Sequence, residues 1–259
     1  MPRARSMGQE ASCLRRGYGA QGSCPTSATS ALFTDLYELT MAGAYDAEGM
    51  NAPAVFELFF RELPDCRNYV LAAGLSDVLS YLEQWCFTDG DLDYLRSRHE
   101  LPPALLDRLR EMRFTGDVYA VAEGTVVFPN EPLVQVVAPI IEAQIIETFV
   151  LNQVHFQSVI ATKAARIVTA AAGRSVVDFG SRRAHGIDAA LKVARASYLA
   201  GAAGTSNVLA GKLYGIPVLG TMAHSYVQAH DDELAAFEVF SRLYPRATLL
   251  VPNVRSPSM

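Results

Sequence analysis

The sequence predicts an α/β protein in two parts, a mixed α+β region followed by a β/α repeat of the parallel-barrel or open-sheet type. Three observations predict it. Short β-branched and aromatic runs, punctuated by Gly116-Asp117, Glu123-Gly124 and Pro129-Asn130, fill residues 114–137. A long helical pattern then runs from Ile140 to about Ala172. Beyond it, strand-length and helix-length apolar runs alternate, as they do in β/α units. The alternation supplies too few strands to close a barrel, so the second part is expected to be incomplete.

The elements follow in chain order. Residues 1–30 carry Arg3, Arg5, Arg15 and Arg16 against one acidic residue, Glu10, and are rich in Ser and Gly. They read as a disordered extension, with an organelle transit peptide or a start at Met7 as alternatives. No apolar run of a secretory signal is visible. Leu32 to Ala47 has helical spacing through Leu32, Leu36, Leu39, Ala42 and Ala44, with Thr34 or Asp35 placed to cap it. Ala54 to Arg61 reads as a strand from its aromatic and β-branched content. Leu75 to Trp85 is an amphipathic helix, and Leu92 to Leu109 supplies one or two more. Phe114 to Val137 is a meander.

In the long helix, Ile145, Phe149, Phe156, Ile160, Ile167 and Ala171 recur on one face, and Gly173 stops it. Then come a strand at Ser175–Phe179, a helix at Ile187–Leu199 and a short helix at Asn207–Tyr214. A strand at Pro217–Gly220, a helix at Glu233–Leu243 and a strand at Ala247–Val251 complete the series. The organisation expected is therefore an extension (1–30), an α+β domain (31–140), a partial α/β barrel (141–251) and a tail (252–259).

Composition narrows the function. Of 259 residues, 50% are hydrophobic and 19% charged, enough for one large core or two smaller ones. A net charge of −5 offers no basic footprint, so nucleic acid is not an expected partner. Cys13, Cys24, Cys66 and Cys86 show no C-x-x-C spacing, and read as the reduced thiols of a cytoplasmic protein. No apolar run reaches membrane-spanning length, so no membrane is expected either.

Three loops carry candidate chemistry. Pro217–Gly220 leads into Thr221-Met222-Ala223-His224-Ser225, placing a histidine flanked by hydroxyl groups just past a strand end. Loops at that end of β/α arrays collect the reacting side chains, although a lone histidine is more often structural than catalytic. Val177-Asp178-Phe179-Gly180-Ser181-Arg182-Arg183 repeats the form, with forked guanidinium donors suited to carboxylate or phosphate. Two solvated surface arginines read equally well from the same residues. Gly201 to Asn207 is a small-residue turn running into a helix, whose amides could cradle an anion. It matches neither a dinucleotide fingerprint nor a P-loop. His224 and His230 are spaced wrongly for a one-face metal pair, so no metal site is expected. Asp231-Asp232-Glu233 reads as a helix cap. Together the three loops point to a site for an anionic small molecule.

Six blocks then bring a family into view. They are Leu32-Phe33-Thr34-Asp35-Leu36-Tyr37-Glu38-Leu39-Thr40, Phe56-Glu57-Leu58-Phe59-Phe60-Arg61, Leu71-Ala72-Ala73-Gly74-Leu75, Phe179-Gly180-Ser181-Arg182-Arg183-Ala184, Gly204 to Gly211, and Gly220-Thr221-Met222-Ala223-His224-Ser225. In this order they resemble the nicotinate phosphoribosyltransferases, from about Ala31 to Val251. The resemblance implies an N-terminal sandwich-like domain packed on an irregular, TIM-like α/β barrel, in a homodimer that completes its sites across subunits. It implies transfer of phosphoribosyl from phosphoribosyl pyrophosphate to nicotinic acid, driven by hydrolysis of ATP, which enters with Mg2+ as co-substrate. No tightly bound cofactor is implied.

By the same resemblance, His224 is the residue phosphorylated by ATP. Tyr37 and Phe179 hold the pyridine ring, Arg182 lies close to the substrate, and Thr221 places a hydroxyl near the nicotinate carboxylate. Ser206 stands where relatives that use nicotinamide carry an aspartate, which favours the acid over the amide. The resemblance stops at Val251, after which Pro252 to Met259 read as replacement sequence. A truncated member is therefore expected, with a non-catalytic fragment that associates with full-length subunits as the alternative.

Overall fold

The computed structural model describes residues 30–245. The expectations for residues 1–29, the Ala247–Val251 strand and the tail lie outside them. The chain forms two compact units that divide between Thr162 and Lys163.

In the first unit, α1 (Leu36–Ala47) starts four residues later than its apolar spacing predicts. The reason lies in the two candidate caps. Asp35 occupies the N-cap position without a side-chain cap bond; its carboxylate accepts from the Thr148 hydroxyl at 2.9 Å. Thr34 turns its hydroxyl to the carbonyl of Ile145 at 2.9 Å. The caps are spent on tertiary contacts, and the preceding residues form a turn instead.

β1 (Pro53–Leu58) follows, then the two-residue β2 (Val70–Leu71), which has too little sequence of its own to be read as a strand. The stretch expected to hold one or two helices holds two, after α2 (Leu75–Gln84): α3 (Asp89–Arg98) and α4 (Pro103–Glu111). A reciprocal capping box between Thr88 and Asp91 fixes the start of α3. The meander becomes β3 (Asp117–Ala120), β4 (Val126–Val127) and β5 (Val134–Pro139). β5 is the centre of a three-stranded antiparallel sheet, paired with β1 on one side and β3 on the other. Its burial alternates residue by residue, as a sheet with one covered face requires. β2 and β4 form a second, two-stranded ladder.

α5 (Ile140–Ala170) is the long helix. Its spacing predicts an apolar stripe, but the buried face is partly polar. Gln157 and Ser158 are fully buried, whereas Ile167 is 50% exposed. The polar residues satisfy backbone and side chains that would otherwise be orphaned. Thr162 accepts from the amide of Leu71 at 2.9 Å, Ser158 from that of Ala73 at 3.0 Å. Gln157 donates to Asp77 at 2.7 Å. The core around α5 contains Trp85, Leu92, Leu105, Leu109, Ile141 and Ile145, each nearly inaccessible. Each such side chain contributes about 1.5–3 kcal/mol through burial.

The second unit continues from the C-terminal end of α5 through β6 (Val177–Asp178), a 3-10 turn (Ser181–Arg183), α6 (Ile187–Leu199) and β7 (Gly204–Thr205). Then come α7 (Val208–Tyr214), α8 (His224–Gln228) and α9 (Glu233–Leu243). β6 and β7 run parallel, and Thr205 makes one further parallel bridge to Val218. The Pro217–Gly220 strand is thus reduced to that bridge. α6, α7 and α9 fall where their patterns place them, α8 is a helix that no pattern predicted, and Asp232 caps α9 by accepting from the amide of Ala235 at 3.1 Å. Among the described residues the parallel strands do not close into a barrel. Two glycines allow the close packing that this short array needs. A Cβ on Gly204 would lie 2.5 Å from the Pro217 carbonyl oxygen, and one on Gly211 2.2 Å from a methyl of Val218.

Candidate functional site

The parallel register of the second unit decides what its loops can share. Asp178 pairs with Thr205, and Thr205 bridges Val218, so three chain segments end side by side. Phe179 to Arg183 follow the first, Ser206 and Asn207 the second, and Thr221 and His224 the third. Five of the six residues singled out in the sequence therefore lie on the segments that leave one edge, four of them in loops and His224 at the start of a helix.

The first loop is a tight turn. Asp178 Oδ1 accepts from the amide of Gly180 at 2.8 Å, which closes an Asx turn across Phe179. The phenyl ring is 40% exposed. Arg182 sits in the 3-10 turn, exposed, and among the described residues no carboxylate or carbonyl engages it. The Ser181 hydroxyl beside it is buried with no partner among the described residues.

The second loop differs from its sequence reading. Gly204 and Thr205 are a strand, and the amides expected to face an anion are already donated. Ala203 gives its N–H to Val176, Thr205 to Pro217 and Ser206 to Asp178, at 2.7, 3.0 and 2.8 Å. Asn207 N–H goes to the Thr205 hydroxyl at 3.1 Å. The Asn207 side chain in turn caps α7, accepting from Ala210 N–H at 3.0 Å. What this loop presents is the half-buried Ser206 side chain, on a fixed backbone.

The third loop carries another difference. His224 is the first residue of α8 and not a loop residue; Ala223 precedes it in extended conformation without a side-chain cap. Its imidazole is exposed and has no partner among the described residues. α8 is anchored through its other end. Tyr226 packs its ring 4.7 Å from that of His230 and 5.6 Å from that of Phe240 on α9. His230 Nδ1 also meets the Tyr226 carbonyl at 2.9 Å. His230 is therefore a packing residue, whereas the rings of His224 and of His185, which follows the Ser181–Arg183 turn, are exposed. Among the described residues no group of His, Cys, Asp and Glu is arranged to hold a metal ion.

Tyr37 belongs to the first unit. It lies on the first turn of α1, 51% exposed, above a buried carboxyl. Its hydroxyl donates to Glu38 Oε1 at 3.4 Å. Desolvation, then the charges of Glu147, Glu38 and Asp35, push the phenol above its ordinary value. The ring therefore stays neutral. Glu38 itself is fully buried, in contact with the hydroxyls of Thr34 and Thr148. Burial raises its carboxyl above the ordinary carboxylate range, opposed by those two hydroxyls and supported by Glu147 and Asp35. Thr34 has one proton and two neighbours that accept, the Ile145 carbonyl and Glu38. A proton held on Glu38 satisfies both.

Asp178 and Thr205 have no place in the sequence reading of the site, yet the loops hang on them. The available signal is the spacing Asp178-Phe179-Gly180, an acidic residue two before a glycine at a strand end. Thr205 gives no signal of its own, because its partner is 27 residues away.

Known proteins share this sequence over both regions. Residues 32–155 match the nicotinate phosphoribosyltransferase (NAPRTase) N-terminal domain, and residues 174–250 match the nicotinate phosphoribosyltransferase (NAPRTase) family. The chain belongs to the nicotinate phosphoribosyltransferase family. It is 66% identical over 221 residues to nicotinate phosphoribosyltransferase pncB2 of Mycobacterium tuberculosis, covering 85% of this chain and 48% of that protein. It is 46% identical over 221 residues to the Bacillus subtilis nicotinate phosphoribosyltransferase, covering 85% of this chain and 45% of that one. The crystal structure of human nicotinic acid phosphoribosyltransferase superposes with a TM-score of 0.70 at 41% identity, over 76% of this chain and 40% of the human one. The chain thus spans about half the length of the curated family members it matches. No described helix is long and apolar enough to cross a membrane.

Proposed function

We propose that the chain acts in the ATP-dependent transfer of phosphoribosyl from phosphoribosyl pyrophosphate to nicotinic acid, giving nicotinate mononucleotide and pyrophosphate. The observation that carries this reading is the shared edge of the second unit. There the parallel register sets an aromatic ring, an exposed guanidinium, a hydroxyl and an exposed imidazole on adjacent segments.

Each group suits a part of the reaction. Phe179 offers a flat apolar face to a pyridine ring, and Tyr37 is the second aromatic assigned to it. Arg182 offers a forked cation to a carboxylate or phosphate. Ser206, half-buried and uncharged, accepts a carboxylate neighbour that an aspartate would repel. Thr221 is assigned the hydroxyl beside the nicotinate carboxylate. For His224, a neutral imidazole nitrogen attacks the terminal phosphorus of ATP, which enters as its magnesium complex. A P–N bond forms as the P–O bond to ADP breaks. Water later cleaves the phosphoramidate and releases its free energy. The added charge and acceptor oxygens draw donors toward His224 and so reshape the neighbouring loops. In the transfer itself, the pyridine nitrogen bonds to C1 of the ribose as the C1–O bond to pyrophosphate breaks. The working assembly in this reading is a homodimer in the cytoplasm.

The test is phosphate incorporation. Protein incubated with terminally labelled ATP and Mg2+ is expected to carry acid-labile, base-stable label, absent from His224→Ala. Nicotinate and phosphoribosyl pyrophosphate are expected to discharge the label with formation of nicotinate mononucleotide. Label of equal stoichiometry in His224→Ala would remove His224 from its role.

A further inference from the structure

The strands of the second unit are too short to hold their loops by themselves. β6 and β7 contribute two residues each, and the third segment a single bridge. A ladder of this length fixes position only weakly, yet the loops beyond it are ordered by one continuous chain of side-chain bonds. The Asp178 carboxylate sits at its centre. Oδ1 accepts from Gly180 N–H at 2.8 Å and Oδ2 accepts from the Thr205 hydroxyl at 2.8 Å. Thr205, fully buried, then accepts from Asn207 N–H at 3.1 Å, and Asn207 caps α7. The Asp178 carbonyl accepts from Ser206 N–H at 2.8 Å.

We infer that Asp178 is a positioning residue that locks the Phe179–Arg183 turn and Ser206 into one register, with Thr205 as the relay between them. Each oxygen of the carboxylate has a separate task, one for each loop. Phe179 is held between the residue that accepts and the residue that donates in the Asx turn. Ser206 is held between two amides fixed to Asp178 and to Thr205. Gly180 is part of the same device, since a Cβ there would approach Asp178 Oδ1 to 3.0 Å. Asp178 touches no substrate in this arrangement. It acts through the ring of Phe179 and the hydroxyl of Ser206, so it governs how well the site tells an acid from an amide. The inference rests on the proposed function for its ligand and on geometry alone for the coupling between loops.

Two measurements on the 259-residue chain separate these parts. The first is amide exchange by NMR in wild type, Asp178→Asn and Thr205→Val. Thr205→Val alters the Ser206 loop only, but is expected to accelerate exchange at Gly180 in the other loop, with α6 amides unchanged as the control for folding. The second is calorimetry with nicotinic acid and nicotinamide. Both variants are expected to weaken nicotinic acid binding on the order of tenfold, and to bring its ratio to nicotinamide toward one. The double variant is expected to lose no more than the worse single one, as coupled residues do. Unchanged exchange at Gly180 in Thr205→Val overturns the coupling. Additive losses in the double variant overturn the relay. A wild-type chain that orders Gly180 through Thr205 but binds no nicotinic acid leaves the positioning intact and removes the functional reading.

Discussion

The two units bury different things. In the first, large side chains fill the interior, with Trp85, Leu92, Leu105, Leu109, Ile141 and Ile145 all nearly inaccessible. In the second, the buried apolar residues are Ala190, Ala194, Ala196, Ala202, Ala210, Ile216 and Ala236 among the described residues. There several large apolar side chains point outward, with Ile187 78%, Val208 71% and Leu234 62% exposed. Polar groups are distributed the opposite way. The first unit turns Glu38, Gln157, Ser158 and Thr162 inward onto partners, while the second turns Arg182 and His224 outward without partners among the described residues. The first unit thus uses its polar residues to hold structure. The second has a thin core of small residues, which lets backbones approach closely and leaves Arg182 and His224 exposed at one edge.

The largest test of this contrast is Leu105→Ala. Removing most of a side chain that is 1% exposed leaves a cavity, and about 3 kcal/mol of stability is expected to go with it. Denaturant unfolding followed by tryptophan fluorescence reports it directly, because Trp85 lies in the same core. A loss below about 1 kcal/mol would mean that this core is loosely packed. The matching change in the second unit adds atoms. Gly211→Ala places a methyl 2.2 Å from a Val218 methyl, and overpacking of this kind costs about 1–3 kcal/mol. Val218→Ala removes the obstructing group, so the double variant is expected to recover most of that loss. Failure of the rescue would show that α7 does not lean on the Val218 bridge.

What the sequence made legible follows from the range of each interaction. α2, α6 and α9 appear where periodicity puts them, because a 3.6-residue apolar pattern is a local signal. Among the loops, Phe179–Arg183 was legible because it follows a short apolar run, and Gly201–Asn207 because it is a run of small residues before a helix. Three features escaped. β7 hides in Gly204-Thr205, whose strand character comes entirely from partners at Val177–Asp178 and Val218. The start of α1 moved because Thr34 and Asp35 spend their caps on residues more than 100 positions away. The polar side of α5 was invisible because Ser158 and Thr162 serve the backbone of β2. These three misses have long-range hydrogen bonds as their cause, whereas α8 was missed because five residues carry too short a pattern.

A smaller effect separates the units by pH. Glu38 holds its proton in the folded chain above the ordinary carboxylate value of 4.5. The folded state therefore binds more protons than the unfolded state in the window just above that value, and this contribution to stability falls as pH rises through it. Below the window the contribution is fully present. Glu147 and Asp35 face the same group and oppose its ionisation, whereas the hydroxyls of Thr34 and Thr148 favour it and that of Tyr37 donates to it. Glu38→Gln keeps a donor and removes the charge, so its stability is expected to vary less with pH between about 4.5 and neutrality than that of wild type. Identical slopes for the two proteins would place the proton elsewhere in the Asp35–Glu147 group.

The smallest expected effect is the most diagnostic of how the second unit is built. Val208→Ser trims an apolar side chain that is 71% exposed on the first turn of α7. Little apolar area leaves water at this position in the folded chain, so little is lost on truncation, and a change within about 0.5 kcal/mol is expected. The helix start is carried instead by Asn207, whose side chain accepts from Ala210 N–H, and Asn207→Ala is expected to cost about 1 kcal/mol in the same assay. If Val208→Ser costs more than Asn207→Ala, the apolar surface of α7 is covered in solution, and the thin core of the second unit is not what holds that helix in place.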